Sequence, residues 1–401
     1  MSTLIRRVAC GMSGGVDSAV SALLLKQKGY EVLGVFMKNW DGRDETGFCS
    51  ADEDREYAQY ACSHLDIPFI EVNFEKDYWH NVFCELIEEY ENGLTPNPDV
   101  LCNKHIKFNK FFNYVRDELG ADAVATGHYA QSSAGPYLEN LDTSKGVKLL
   151  KAADTLKDQT LFLSQISQKS LQRTMFPLGG LLKTQVKQMA VSAGMEKLAQ
   201  KKESMGICFI GKRKFQSFLE EYIEPRPGEF IDIETGKVVG SHKGVQFWTV
   251  GQRCHLGGMP HAYYVASICP ETQQILVAPG SDHPALYTDL FKAGPPHWIH
   301  SEPTLLQAIH KQECDYLIQK MDSLTRCTLW KPFNGLEELE VHCSCTARAI
   351  TPGQYAVFYL GDECLGSAKI LSTGPSMFDL DNDPKDNDLD PDSHEIVESR
   401  V

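Results

Sequence analysis

Between the apolar residues 8–10 and a helical stretch starting near residue 17, the chain places Ser13, Gly14, Gly15, Asp17 and Ser18. A turn that joins a strand to a helix leaves several backbone N–H groups unpaired, and the helix start adds partial positive charge, so an anion is readily held there. Glycines let the backbone come close to that anion, and the two serines add hydroxyl donors. Asp17 is the odd member: a carboxylate beside phosphates makes sense if a Mg²⁺ ion is shared between them. The order is not G-x-x-x-x-G-K-[ST], and no lysine follows the glycines, so the Walker type of nucleotide hydrolase is disfavoured. A lone glycine-rich turn is weak, but its position after the first strand and before a helix favours phosphate binding.

Two thiols come next. The segment LTPNPDVLCNKHIKF, residues 94–108, puts Asp99 three residues before Cys102 on what reads as a loop entering a basic, aromatic helix. Cys208 sits in KKESMGICFIGKR among small and apolar residues, flanked by lysines and Arg213. Nearby cations favour thiolate, the reactive form of a cysteine. Taken alone, each cysteine reads as a small buried hydrophobe. Asp99, close in sequence to Cys102, is placed to move a proton to or from a base or the thiol.

At 401 residues the chain is too long for one ordinary core, and we expect three domains. Their expected spans are 1–214, 215–280 and 281–376, followed by a disordered acidic tail, 377–401. No window approaches the ~20 apolar residues of a spanning helix, which argues against a membrane protein. The thirteen cysteines are odd in number and scattered, with no C-x-x-C, so a reducing compartment is expected and no metal site. The tightest spacing, Cys343-x-Cys345, reads as core filling on one strand face. The net charge of −15 opposes a nucleic-acid partner until its distribution is examined. Residues 378–401 carry nine acids and two bases, a contribution of −7 that leaves −8 for the rest. Residues 183–214 hold eight Lys/Arg against Glu196 and Glu203, a local +6 that can follow a polyphosphate backbone or simply face solvent.

Positioning these residues requires a scaffold. Val8–Met12 and Val32–Lys38 read as strands around a helix over 17–28 ended by Gly29, and Ser50 with Glu53 opens a second helix through Leu65. A strand over 69–74, helices over 76–92 and 108–119 and a strand over 123–130 follow. This order predicts an α/β fold with a doubly wound parallel sheet whose ligands bind beyond the strand carboxyl ends, where the Ser13–Ser18 turn and Thr126-Gly127-His128 both fall. Residues 225–240 read as a hairpin turning at Glu234-Thr235-Gly236 within a small β-rich central domain. The last block, with a Gly361-Asp362 turn, predicts an antiparallel β-barrel.

SGGVDS resembles the pyrophosphatase loop of enzymes that split ATP between its α and β phosphates and adenylate a substrate oxygen. With GVFMKNW, TPNPDVLCNKHIKF, ATGHYA, KDQTLFLSQI, FPLGG, KKESMGICFIG, PRPG, TVGQR and ITPGQYAVFYLGDECLGSAKI, the chain resembles the tRNA-uridine 2-sulfurtransferases from residue 8 to about 372. The resemblance implies ATP-dependent 2-thiolation of the wobble uridine of tRNA. It implies ATP, with Mg²⁺, held by Gly11, Met12, Ser13, Gly14, Gly15, Val16, Asp17, Ser18, Met37 and Gly127. Asn97, Pro98 and Asp99 are then expected at the target base, and His128, Lys157, Asp158, Gln159 and Gln354 on the tRNA. Cys102 becomes the nucleophile and Cys208 the carrier of a persulfide from an upstream carrier or cysteine desulfurase. Without the resemblance, His128 is an ordinary strand-end histidine and Gln354 a surface turn residue.

One departure stands out: where the family has an Arg-aromatic pair meeting tRNA, CDYLIQK places Leu317 and Ile318, with Lys320 as a possible substitute. The wording of the motifs is most similar to animal mitochondrial members. Arg6-Arg7 in a start free of acids fits a very short import signal, with a bacterial cytoplasm as the alternative. A mitochondrial member implies lysine, glutamate and glutamine tRNAs. The competing readings are a synthetase adenylating a small molecule, which needs neither cysteine, and an ATP-responsive RNA-binding protein.

Overall fold

Strand β1 (Arg7–Gly11) is buried along almost its whole length, and its side chains alternate between two apolar cores. Val8 and Cys10 join helix α1 (Val16–Gln27), while Ala9 meets the helical segments 75–91 and 98–117 on the other face. A strand covered on both sides must be apolar throughout, which is the signature of a parallel α/β sheet. The computed structural model describes residues 5–40, 50–202, 215–319, 321, 323–332 and 337–382. Cys208, Lys320 and everything beyond 382 lie outside the described residues.

The first sheet adds β2 (Glu31–Lys38), β3 (Phe69–Asn73), β4 (Ala123–Ala125) and, later in the chain, β7 (Thr174–Met175), in the order β3-β2-β1-β4-β7. All four pairings are parallel. The chain winds outward from β1 to β3 and then crosses to β4, so the strand order reverses between β1 and β4. In open parallel sheets ligands bind at such a reversal, beyond the carboxyl ends of the strands, which here carry residues 12–15 and 126–128.

Two sequence expectations need correction here. The strand expected over 123–130 ends at Ala125, which frees Thr126–Ala130 from the sheet. The segment around Asp99 and Cys102 is no loop: helix begins at Pro98, runs through Leu101, continues as a π-type stretch Cys102–Phe111 and ends in Phe112–Asp117. Asn97 caps it by accepting the Val100 N–H at 3.3 Å, and Pro98 fits the first turn, where no N–H is required.

Short strands β5 (Gln131–Ser132) and β6 (Leu149–Leu150) leave the first sheet, and β6 pairs with the final barrel strand. The central unit is a five-stranded sheet of β8 (Gly228–Asp232), β9 (Val238–His242), β10 (Arg253–Cys254), β11 (Tyr263–Cys269) and β12 (Gln274–Pro279). Gly236 has φ +65° at the expected hairpin turn. The last unit contains β13 (Tyr287–Ala293), β14 (His297–Trp298), β15 (Lys311–Leu317), β16 (Thr325–Trp330), β17 (Leu339–Arg348), β18 (Tyr355–Leu360) and β19 (Glu363–Thr373). Antiparallel order β13-β17-β16-β15-β18-β19, closed by β13 on β19, makes a barrel.

Cys343 is half-buried with Sγ 3.2 Å from the Tyr316 hydroxyl, but Cys345 is exposed, so this pair does not simply fill the core. The tail expected from residue 377 begins instead as helix Met377–Asn382, with Phe378 against the His283 ring at 5.3 Å. Ser376 starts it, its hydroxyl bonded to the Asp379 carboxylate at 2.7 Å.

The barrel is fastened to the first domain by charge. Lys369 donates to Glu85 at 2.8 Å and to Glu89, whose side chain is 10% exposed. Lys369→Met strands Glu89 without its cation and is expected to cost about 3 kcal/mol, read as a lower unfolding midpoint by calorimetry. An unchanged midpoint would assign this pair no anchoring role.

Candidate active site

The turn after β1 is held open by its own serines. The Ser18 hydroxyl accepts the Ser13 N–H at 3.1 Å and donates to the Gly15 carbonyl at 3.0 Å. No side chain caps α1 at Gly15, so the helix start offers its N–H groups outward. Gly14 has φ +71°, and a Cβ there would sit 2.2 Å from the Asp54 carbonyl oxygen. Gly14→Ala is expected to cost about 3 kcal/mol through strain and collision together, visible as a drop in thermal midpoint. Gly127 is equally constrained, since a Cβ would lie 2.7 Å from the Ser18 nitrogen. The end of β4 is thereby pressed against the helix start. Met12 and Val16 point into the core, which leaves only their backbone for a ligand, and Met37 packs its Cε 3.6 Å from the Cβ position of Gly11.

Asp17 is not free. Its carboxylate accepts two bonds from Lys183 Nζ at 2.8 and 2.7 Å and one from the Tyr129 hydroxyl at 3.0 Å. Lys201 Nζ flanks the turn, 3.2 Å from the Gly14 carbonyl and 2.6 Å from Asp54. Two cations of the basic stretch therefore turn inward instead of forming an outer face. Sequence reasoning missed Lys183 and Tyr129, which lie 166 and 112 residues from Asp17, so no local spacing could reveal them. The donor set suits Mg²⁺ only in part. Among the described residues no cluster of three or more His, Cys, Asp or Glu side chains could hold a metal, and Asp17 can share an ion only with phosphate oxygens and water.

The second half of the site hangs from helix 98–117. Phe111 lies 3.8 Å from the Cβ position of Gly11, and Phe108 meets the His128 ring at 5.7 Å, so this helix spans from the phosphate turn to Asp99 and Cys102. Cys102 is 7% exposed beside Leu101 and Ile106. Asp99 is open to solvent, yet enough of the protein surrounds its carboxyl group that desolvation raises its pKa, with Lys107 opposing. His128 accepts or donates at 2.7 Å to the Thr126 hydroxyl. Burial, reinforced by Lys107, lowers its pKa well below the ordinary histidine value, which favours the uncharged imidazole.

The remaining expected contacts are partly committed elsewhere. Asn97 is 2% exposed, donating to Gln319 at 2.8 Å and to Gln354 at 3.4 Å, and Pro98 is buried, so of the three base-contact candidates only Asp99 is open. Gln354 is buried, not a surface turn residue, and donates to the Thr95 carbonyl at 2.9 Å and the Pro96 carbonyl at 3.2 Å. Asp158 accepts the Ala152 and Thr160 N–H groups at 2.6 and 3.0 Å, and Gln159 accepts the Tyr129 N–H at 2.9 Å. Lys157 is half-buried beside Leu156, which is 93% exposed. Leu317 and Ile318 pack into apolar clusters.

Comparison with known proteins extends over the whole architecture. Residues 6–212 match a family described as tRNA methyl transferase HUP domain, 216–279 a tRNA methyl transferase PRC-barrel domain and 288–370 an aminomethyltransferase beta-barrel domain. The chain is 50% identical over 392 residues to the mitochondrial tRNA-specific 2-thiouridylase 1 of Homo sapiens, covering 94% of this chain and 93% of that one. It is 49% identical over 373 residues to the Drosophila melanogaster protein of the same name, covering 93% and 95%. To the tRNA-specific 2-thiouridylase of Halalkalibacterium halodurans it is 45% identical over 366 residues, covering 91% and 94%.

Proposed function

Since the chain belongs to the tRNA-specific 2-thiouridylase family, we propose that it is an ATP-dependent sulfurtransferase that replaces the C2 oxygen of the wobble uridine of tRNA with sulfur. The observation that carries this reading is the helix 98–117, which joins an uncapped, phosphate-ready turn to a carboxylate and a thiol. The domain descriptions speak of methyl transfer. A methyl group needs no activation of its acceptor by a phosphate-gripping turn, whereas a uracil carbonyl is a poor electrophile until adenylation makes its oxygen a leaving group.

ATP is bound at residues 11–18 with Met37 and Gly127, and the uracil O2 attacks its α phosphate, releasing pyrophosphate. The outer sulfur of a Cys208 persulfide then attacks C2 and AMP departs, leaving the base joined to Cys208 through two sulfurs. Cys102 thiolate attacks the Cys208 sulfur, so the C2–sulfur bond is retained and a Cys102–Cys208 disulfide forms. A thiol reductant restores both cysteines, and an upstream carrier or cysteine desulfurase supplies the next persulfide. Asp99 moves the proton of the base or thiol. An anticodon loop is already single-stranded, so presenting the base costs little. Lys157, Asp158, Gln159 and His128 line the path of the tRNA, and Gln354 supports it from within by holding the Thr95 and Pro96 carbonyls. Magnesium brought with ATP would neutralise phosphate charge, and Asp17 is the residue that would hold it.

The names of the animal relatives support a mitochondrial location and, with it, lysine, glutamate and glutamine tRNAs as substrates. The small-molecule synthetase reading leaves the family membership unexplained. Nucleoside mass spectrometry of tRNA from cells lacking the protein tests the assignment: wobble 2-thiouridine should vanish from those tRNAs and return on re-expression. Unchanged thiolation would overturn it.

A further inference from the structure

We propose that Lys183 is the cation that receives the terminal phosphates of ATP and the departing pyrophosphate, and that Asp17 occupies its ammonium until they arrive. The inference rests on reading residues 11–18 as a pyrophosphate-releasing turn, and it names a residue outside that turn as part of the same anion site.

Lys183 holds both oxygens of Asp17, and its side chain is only 11% exposed. Its ammonium also lies 5.6 Å from the Tyr129 ring centroid, and Tyr129 itself donates to Asp17 at 3.0 Å. The place of this lysine in the chain is unfavourable by local rules. It is the first residue of helix Lys183–Ser192, whose first turn holds no acidic residue. A cation there is repelled by the partial positive charge of its own helix start. Asp17, in turn, lies in the first turn of α1, which no side chain caps. The start of α1 and an ammonium thus meet at a single carboxylate, with Lys201 on the far side of the turn beside Gly14, while the start of helix Lys183–Ser192 takes a different one, Asp154, which accepts the Lys183 N–H at 2.9 Å. The arrangement is an anion site whose present anion is a side chain.

A purely structural pair is a poor explanation, because a secluded ion pair contributes little stability beyond the desolvation of its partners. It also gives no reason for leaving the start of α1 uncapped. A phosphate entering the turn meets repulsion from Asp17 and attraction from Lys183. The attraction is met at closest range when the ammonium passes from carboxylate to phosphate; Asp17 keeps the Tyr129 hydroxyl at 3.0 Å, and its remaining repulsion is what a neutral side chain there would remove. No covalent bond changes; one charge-assisted hydrogen-bond partner replaces another.

Binding of inorganic pyrophosphate to the full chain in EDTA, measured by titration calorimetry, tests this independently of thiolation. Lys183→Met should weaken binding about tenfold or more, and Lys183→Arg should stay within about threefold of the parent. Asp17→Asn should tighten metal-free binding by about tenfold, since it removes the competing carboxylate and its repulsion. Unchanged affinity in Lys183→Met, or no gain in Asp17→Asn, overturns the proposal. Circular dichroism checks that each variant is folded; if Lys183→Met is not, Asp17→Asn alone decides, tighter binding supporting the exchange and equal or weaker binding refuting it. Loss of this effect with tRNA thiolation intact would reject the role of Lys183 and leave the enzyme's assignment standing.

Discussion

Cys102→Ser and Cys208→Ser should each lower sulfur incorporation into tRNA by about a thousandfold or more while leaving tRNA affinity nearly unchanged. A hydroxyl at 102 cannot open a persulfide adduct, because alkoxide is neither populated near neutral pH nor drawn to sulfur as thiolate is. A hydroxyl at 208 cannot carry sulfur at all. The two variants should stall differently. Without the resolving thiol, the base remains attached to the protein through two sulfurs, so Cys102→Ser should accumulate a tRNA adduct that a small thiol releases as 2-thiouridine. Cys208→Ser should accumulate adenylated tRNA or pyrophosphate without any adduct. Intact-mass spectrometry of single-turnover mixtures with labelled ATP separates these outcomes. Full thiolation by either variant would remove that cysteine from the mechanism. Cys102 is 7% exposed and lies within an apolar cluster, so its replacement by the similar-sized serine need not disturb packing beyond one buried hydroxyl.

Asp99→Asn is expected to reduce the rate of thiolation by about 10²–10⁴ without weakening ATP binding, the range for loss of a placed proton carrier. The pH dependence gives the sharper test. Desolvation by the surrounding protein raises the carboxyl pKa while Lys107 lowers it, and desolvation is the larger effect. A carboxylate acting as base works above its pKa and fails as pH falls through it, so the acid limb of the rate profile should lie above the ordinary carboxylate range. Lys107→Met removes the opposing cation and should move that limb higher still, with Lys107→Arg restoring it. An acid limb at the ordinary carboxylate value, or one unmoved by Lys107→Met, would dismiss Asp99 as the titrating group.

Some of the site could be read without any coordinates. SGGVDS between a strand and a helix is local chemistry, since the unpaired N–H groups and the glycine conformations belong to a few consecutive residues, and Gly14 adopts the positive φ that such a turn requires. The alternation of strands and helices likewise foretold the parallel sheet. The start of helix 98–117 was less legible. Asn97-Pro98 is a cap and first-turn pair, but the prolines and asparagine around it look equally like a loop, and packing of Val100, Leu101 and Ile106 into the cores decided for helix.

What the sequence determined by itself was a phosphate-ready turn at residues 11–18 and the domain order, because periodicity and turn residues act over short spans; the adenylating chemistry came with the family resemblance. Only the tertiary structure decided which charges meet. Lys183 faces Asp17, Lys201 faces Asp54, and Gln354 of the barrel holds the carbonyls of Thr95 and Pro96. Such partners are separated by many residues and brought together by burial of the sheet and barrel cores. The electrostatics they set depend on distance and desolvation in space, and neither quantity is written in the spacing of residues along a chain.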